Sequence, residues 1–193
     1  MNLTELLRNN FYWIDFSLGI IILVIVSILY LTHRIDRYSW HLYWVGFFLG
    51  LCWELPMSIA NEYGEYPPAS FITPLPTHFM VIVITHSFWD GGLFLVGVWL
   101  VRKLCAEPQF VQFKWKELAV LLVWGQLSEL TVELLSTFNN AWEFNRYWWN
   151  PTLFIFNNHN ITLLPQLIWL VAPIVFYIIA LRIKSKEISS TKE

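Results

Sequence analysis

The sequence predicts an all-α integral membrane protein, a bundle of five transmembrane helices. Three observations carry this prediction: 56% of the 193 residues are hydrophobic, only 13% are charged, and the apolar residues gather into long runs. A soluble domain is about 25% charged, whereas a bilayer-spanning helix needs about 20 mainly apolar residues. Within a single domain of residues 1–193, the spans are predicted at 13–31, 40–60, 78–100, 117–137 and 163–183.

The segments between the spans differ in composition. Residues 61–77 are rich in proline, and residues 138–162 are rich in aromatic residues and asparagine, so both are predicted to be loops. The stretch 142–150 of the second loop fits a lid, a partner surface or an interfacial aromatic anchor. The polar tail 184–193 is predicted to be disordered.

The distribution of basic residues predicts the orientation. Ten of the twelve Lys and Arg residues fall in segments 32–39 and 101–116 and in the tail from Arg182. Cytoplasmic segments carry an excess of Lys and Arg, so the N-terminus is expected outside and the C-terminus in the cytoplasm. The host membrane would be the endoplasmic reticulum of a eukaryote or the plasma membrane of a bacterium. The net charge of −2 argues against a nucleic-acid partner.

Acidic residues inside the spans are the strongest functional signal. A carboxylate at a helix centre costs about 2.5–3.5 kcal/mol on insertion scales, so it usually has a partner or a function. Glu54 falls in the outer half of the second span, whereas Asp15 lies at the edge of the first, where water is expected to reach it. His86 and Asp90 are four residues apart and share a helix face. The other polar candidates at similar depth are Gln126, Glu129, Glu133 and Gln166.

These residues also allow a purely structural interpretation. Gln126 and Gln166 could be interhelical hydrogen-bond partners, and Glu133 could be hydrated at the interface. Four tryptophans lie within four residues of a polar candidate and are predicted to line a substrate site, with ordinary core packing as the alternative. They are Trp53, Trp89, Trp124 and Trp169.

The predicted chemistry is general acid–base catalysis on an apolar molecule. A carboxyl group in a low-dielectric site favours its protonated form, so it can protonate an alkene or an epoxide. Aromatic faces can then stabilise a carbocation. Glu54 or Asp90 would be the acid, and Glu129, helped by His86, would take the proton back or stabilise positive charge. Glu133 completes the candidate catalytic set.

Two other classes of function use polar residues inside a membrane, namely metal chemistry and non-catalytic lipid binding. The chain has no Glu-x-x-His pair and few histidines, so neither a metal nor another cofactor is predicted. A non-catalytic sterol- or lipid-binding protein fits the same polar residues. In each case the predicted partners are a hydrophobic small molecule and membrane lipid.

Three short motifs carry a family resemblance. The runs SFWDGGL at 87–93, WGQL at 124–127 and QLIWLVAP at 166–173 resemble the EXPERA family, which includes the emopamil-binding sterol isomerases and sigma-2-receptor type proteins. The resemblance places Gln166 and Trp169 in the family's polar-x-x-Trp pair and Glu54 in its glutamate position. Gly50 stands where the isomerase has a histidine, and Ile82 where it has an acid.

A second resemblance concerns the Trp53-Glu54 pair alone. It is similar to a pair in the membrane-bound terpene cyclases of fungal meroterpenoid pathways, which use acids to open an epoxide. Together the two resemblances imply proton-initiated isomerisation or cyclisation of a sterol- or terpene-like lipid.

Overall fold

A computed structural model describes residues 3–190, which form six helices and four short strands. In chain order these elements are α1 Leu3–Asn9, α2 Phe11–Leu31, α3 Arg37–Tyr63, β1 Ala69–Phe71, α4 Phe79–Leu104, α5 Trp115–Phe138, β2 Trp142–Phe144, β3 Thr152–Phe156, β4 His159–Thr162 and α6 Leu163–Ser190. Helices α2 to α6 are long and apolar enough to cross a membrane. The prediction of five helices of spanning length and composition is therefore confirmed, and it indicates a multi-pass membrane protein.

The two ends of the bundle differ in what connects the helices. One end carries all four strands, together with the beginnings of α2, α4 and α6 and the ends of α3 and α5. We call it the strand end. The other carries the short connections 32–36 and 105–114, and we call it the loop end. At the loop end, Asp36 caps α3 by accepting a 2.8 Å hydrogen bond from the backbone N–H of Ser39.

Helix α4 is the centre of the bundle, because α2, α3 and α5 all pack against it, while α6 packs on α5 and α3. The closest approach of α3 and α4 involves small residues. A Cβ atom added to Gly46 would lie only 3.0 Å from the Cα of Gly91. Glycines at this crossing bring the two backbones together, as is typical of membrane helices.

Close packing fills the loop end. A continuous apolar cluster joins α3, α4, α5 and α6, and the Tyr38 hydroxyl donates a 2.9 Å hydrogen bond to the carbonyl of Ala180. The fully or almost fully buried members include Leu42, Phe94, Val98, Leu121 and Phe176.

The two long segments between helices contain strands, so the loop prediction for them was wrong in part. Strand β1 pairs antiparallel with β2, and β3 pairs antiparallel with β4. The β3–β4 hairpin closes through Asn157 and Asn158, both at positive φ, which is the requirement of a type I′ turn. In the sequence, the apolar run at 153–156 followed by Asn157-Asn158 is the signal for this hairpin.

The expectation of a disordered tail from residue 184 was also wrong for the described residues. Helix α6 continues to Ser190, while residues 191–193 of the predicted tail lie outside the described range. Lys184 explains part of this extension, because its ammonium lies 3.3 Å from a carboxylate oxygen of Glu187 and 4.7 Å from the ring centre of Tyr38.

Candidate functional site among the membrane-spanning helices

A cavity of about 420 Å³ occupies the strand end, between α2, α3, α4, α5 and α6. Strands β1 and β2 cover it, since Ala69, Phe71, Trp142 and Phe144 all border the space. We call this sheet the roof. The volume lies within the range of small-molecule sites, and the lining is mainly apolar with a few polar side chains.

A His86-centred trio is the main polar feature of the cavity. The Nε2 atom of His86 lies 2.7 Å from Oδ2 of Asp15, and its Nδ1 atom lies 3.5 Å from Oε2 of Glu54. All three side chains are mostly buried, with 17% of His86 exposed. The imidazole thus lies between carboxyl groups of α2 and α3, with its shorter contact to Asp15.

Asp90 lies one helical turn after His86 and has an unusual environment. It is buried and borders the cavity, yet within residues 3–190 its Oδ2 atom has no hydrogen-bond partner. This oxygen lies directly against Gly50, where any Cβ atom would overlap it. Glycine at position 50 thus makes the space that the carboxyl group occupies. An unpaired buried carboxylate oxygen is costly, so this arrangement favours the neutral acid.

Glu129 adds a fourth helix to those that bring polar side chains to this space. It is buried on α5 and borders the cavity together with Glu54 and Asp90. Three tryptophan rings also border the cavity. Trp53 and Trp169 meet edge to face with ring centres 5.9 Å apart. Trp89 is held by a 3.2 Å hydrogen bond from its indole N–H to the backbone carbonyl of Asp15. Glu129 and the three tryptophans were all among the predicted site residues.

The structure brings seven of the eleven predicted residues to the cavity and gives the other four contacts elsewhere. The cavity group comprises Trp53, Glu54, His86, Trp89, Asp90, Glu129 and Trp169. Among the others, Trp124 donates a 2.7 Å hydrogen bond from its indole N–H to the carbonyl of Leu93, and Gln126 donates a 2.9 Å bond to the carbonyl of Gln166. The first of these hydrogen bonds joins α5 to α4, and the second joins α5 to α6.

Glu133 also serves as a structural acceptor. Its fully buried carboxyl accepts 2.9 Å and 3.3 Å hydrogen bonds from the backbone N–H of Thr162 and the side-chain amide of Gln166. These contacts join α5 to the β4–α6 junction. Neither Glu133 nor Gln166 borders the cavity.

Two important residues were not in the predicted set. Asp15 was expected to be hydrated at the edge of the first span, but it is mostly buried against His86. The available signal was its position inside an apolar run. Trp142 is buried in the roof, and its ring centre lies 5.6 Å from that of His86. No local pattern distinguishes this tryptophan from its neighbours in the 138–162 segment.

Some side chains of α2 and α5 both border the cavity and are exposed at the surface of the bundle. They are Ile14 and Leu18 of α2 and Val132 and Leu135 of α5, and more than a third of each side chain is exposed. All four are aliphatic, so an apolar molecule meets a compatible surface at this edge of the site.

Within residues 3–190, no group of three or more His, Cys, Asp or Glu side chains has an arrangement suited to a metal ion. In the His86 trio, the two carboxyl groups contact different ring nitrogens and do not converge on a common point. No family model, curated protein or solved structure matches this chain.

Proposed function

We propose that this protein is an intramembrane acid-catalysed isomerase or cyclase that acts on a sterol- or terpene-like lipid. The observation that carries the proposal is the combination of a mainly apolar cavity, bordered in part by exposed aliphatic side chains, with carboxyl groups and one histidine from four helices at a single place. The EXPERA-like motifs support the same class of chemistry.

Asp90 is the proposed acid, with Glu54 as the second candidate. The Oδ2 atom of Asp90 has no hydrogen-bond partner among the residues that the structure describes, so the group is better accommodated neutral than ionised. Glu54 instead lies next to His86, where its negative charge has a partner. A proton on Asp90 can pass to an alkene carbon or an epoxide oxygen of a lipid in the cavity.

Protonation of an alkene carbon, or protonation of an epoxide oxygen followed by cleavage of its C–O bond, gives a carbocation, and the cavity walls suit it. Trp53, Trp89 and Trp169 present aromatic surface, and a desolvated cation over such a ring gains about 2 kcal/mol. Loss of a proton from a neighbouring carbon to Glu129 or to the His86 trio completes the reaction. One proton enters and one leaves, so the product is an isomer of the substrate and no oxidant or reductant is consumed.

The location of the site also belongs to this proposal. The basic residues concentrate at the loop end, so we place that end in the cytoplasm and the strand end, with the cavity, on the outer or lumenal side. The membrane is that of the endoplasmic reticulum in a eukaryote or the plasma membrane in a bacterium.

The test is mass spectrometry of the lipids that copurify with the wild type and with Glu54→Gln and Asp90→Asn variants. We expect a polycyclic or polyprenyl lipid to accumulate in the variants and its isomer to be present in the wild type. Positioned acid–base groups contribute about 10²- to 10⁴-fold to a rate, so turnover of the accumulated lipid should fall by at least that lower factor.

Glu62→Gln is the matched control, because Glu62 is exposed on the same helix and does not border the cavity. It should process the lipid at the wild-type rate. The same unchanged lipid in wild type and all variants would contradict catalysis and indicate a lipid-binding protein. Bulk phospholipid alone would contradict both functions.

A further inference from the structure

The β3–β4 hairpin exposes apolar side chains on both of its faces. Leu153, Phe154, Ile155 and Phe156 are consecutive and exposed, and Ile155 reaches 70% exposure. Pairing with β4 is regular from Phe154 to Phe156, so these neighbouring side chains point to opposite faces. A contact on one face of the hairpin would therefore cover only some of the exposed side chains, whereas an apolar medium around the hairpin would cover them all.

The hairpin is held at the level where the long helices begin and end. At its turn, the Asn157 side-chain amide donates a 3.2 Å hydrogen bond to the carbonyl of Thr137, in the last turn of α5. At its base, β4 runs directly into α6 at Leu163, and Thr162 N–H is bound by Glu133. Both ends of the hairpin thus lie at the depth of helix termini, beside the lipid-facing Leu135 and Phe138.

This depth also suits the polar groups of the segment. A two-stranded sheet leaves backbone N–H and C=O groups unpaired along its edges, which the hydrocarbon core does not tolerate. The headgroup boundary supplies water to those edges and apolar volume to the side chains. Trp148, 93% exposed and close to the hairpin in the chain, is of the residue type enriched at that boundary.

We propose that the β3–β4 hairpin is a membrane-interface element whose residues 153–156 insert into the headgroup–acyl boundary of the leaflet at the strand end. The occupant of this exposed apolar surface is lipid. The inference does not depend on the catalytic proposal, because residues 153–156 do not border the cavity.

The test is site-specific fluorescence in phosphatidylcholine nanodiscs. An environment-sensitive dye is attached at Ile155→Cys on one face or Phe154→Cys on the other, in a chain carrying Cys52→Ser and Cys105→Ala. Both positions are exposed, so labelling should not disturb packing, and Leu153→Cys serves if either variant fails to fold. Glu65→Cys is the aqueous control, and Val171→Cys on exposed α6 surface is the hydrocarbon control.

We expect blue-shifted emission relative to the Glu65 control at both hairpin positions. Quenching by lipids with a nitroxide near the headgroup should exceed quenching by lipids with the nitroxide near the chain end, the reverse of the Val171 control. Quenching of either position mainly by aqueous iodide would overturn the proposal. Protection of either position from both lipid and aqueous quenchers would also overturn it, because a protein partner would then cover that face.

Discussion

The two ends of the bundle differ in what surrounds their buried acidic side chains. At the loop end, Glu117 is fully buried, and its Oε2 atom accepts hydrogen bonds from the Phe110 N–H at 3.1 Å and the Tyr177 hydroxyl at 2.8 Å. The Lys114 ammonium lies 3.5 Å from its other oxygen. At the strand end, Asp90 and Glu129 border empty volume. Glu117 is held by two hydrogen bonds on one oxygen and a nearby ammonium on the other, whereas the acids beside the cavity are placed to act on a ligand.

The same contrast occurs within a single helix. Glu129 and Glu133 are one turn apart on α5, yet Glu133 is bound by Thr162 and Gln166 while Glu129 borders the cavity. Sequence spacing alone gives the two residues the same interpretation. What distinguishes them is the β4–α6 junction, whose Thr162 and Gln166 donate hydrogen bonds to Glu133.

The largest effect is expected from removing the loop-end acid. Glu117→Ala leaves the Phe110 N–H and Tyr177 hydroxyl without their acceptor and Lys114 without its counter-charge, so stability should fall by about 3–5 kcal/mol. Thermal unfolding in detergent micelles measures this. Glu117→Gln retains an acceptor oxygen and should lose less. An alanine variant as stable as the wild type would show that the two ends do not differ as described.

Asp90→Asn should have the opposite profile. We expect turnover to fall by about 100-fold or more, while unfolding stays near the wild-type temperature because the amide has the same shape as the acid. Glu133→Gln is the matched comparison: it disturbs the acceptor of Thr162 N–H and should lower stability. Full turnover in Asp90→Asn, measured as isomer formed per folded protein, would remove Asp90 from the catalytic assignment.

Gly50→Ala tests the space that holds the Asp90 carboxyl. The added methyl group overlaps that carboxyl and lies 2.9 Å from the Asp90 Cβ, so α3 and α4 must shift, at a cost of about 1–3 kcal/mol. Turnover should fall together with stability.

Gly97→Ala is the corresponding change nearer the loop end, where a Cβ would lie 2.9 Å from Leu121 Cδ2. It should lower stability but keep turnover per folded molecule. Equal turnover in both variants would contradict a special role for Gly50.

The smallest effect concerns the α3 cap at the loop end. Partial burial of Asp36 opposes its ionisation and would raise its pKa. Hydrogen bonds from Ser39 and the positive charge of Arg102, whose guanidinium lies 2.9 Å from the carboxylate, outweigh the burial, so the pKa of Asp36 is lowered. A lowered pKa means that the carboxylate stabilises the fold at neutral pH, and that this contribution is lost as the pH falls below the ordinary Asp value of about 3.9 towards the lower, folded-state pKa.

Asp36→Ala should cost about 1 kcal/mol at neutral pH, whereas Asp36→Asn retains a capping side chain and should cost less. Unfolding measured at neutral and acidic pH checks both. The difference between wild type and Asp36→Asn should shrink in acid, and a difference that grew there would contradict the assigned direction of the pKa.

The sequence by itself determined the number and approximate limits of the membrane-spanning helices. Span length and hydropathy are local properties, because a helix satisfies its own backbone hydrogen bonds and the bilayer selects for about 20 apolar residues. The four-residue spacing of His86 and Asp90 likewise fixed their shared helix face. The concentration of acids at one depth followed from the order of the spans.

Only the tertiary structure decided which polar residues meet. The rotation of each helix about its axis and its choice of neighbour depend on packing across the bundle, so Asp15 reached His86 although 71 residues separate them. The same packing assigned Gln126, Gln166 and Glu133 to interhelical hydrogen bonds. Strand pairing across distant segments made a roof from β1 and β2, since its register joins Ala69 to Phe144, residues that no local pattern connects.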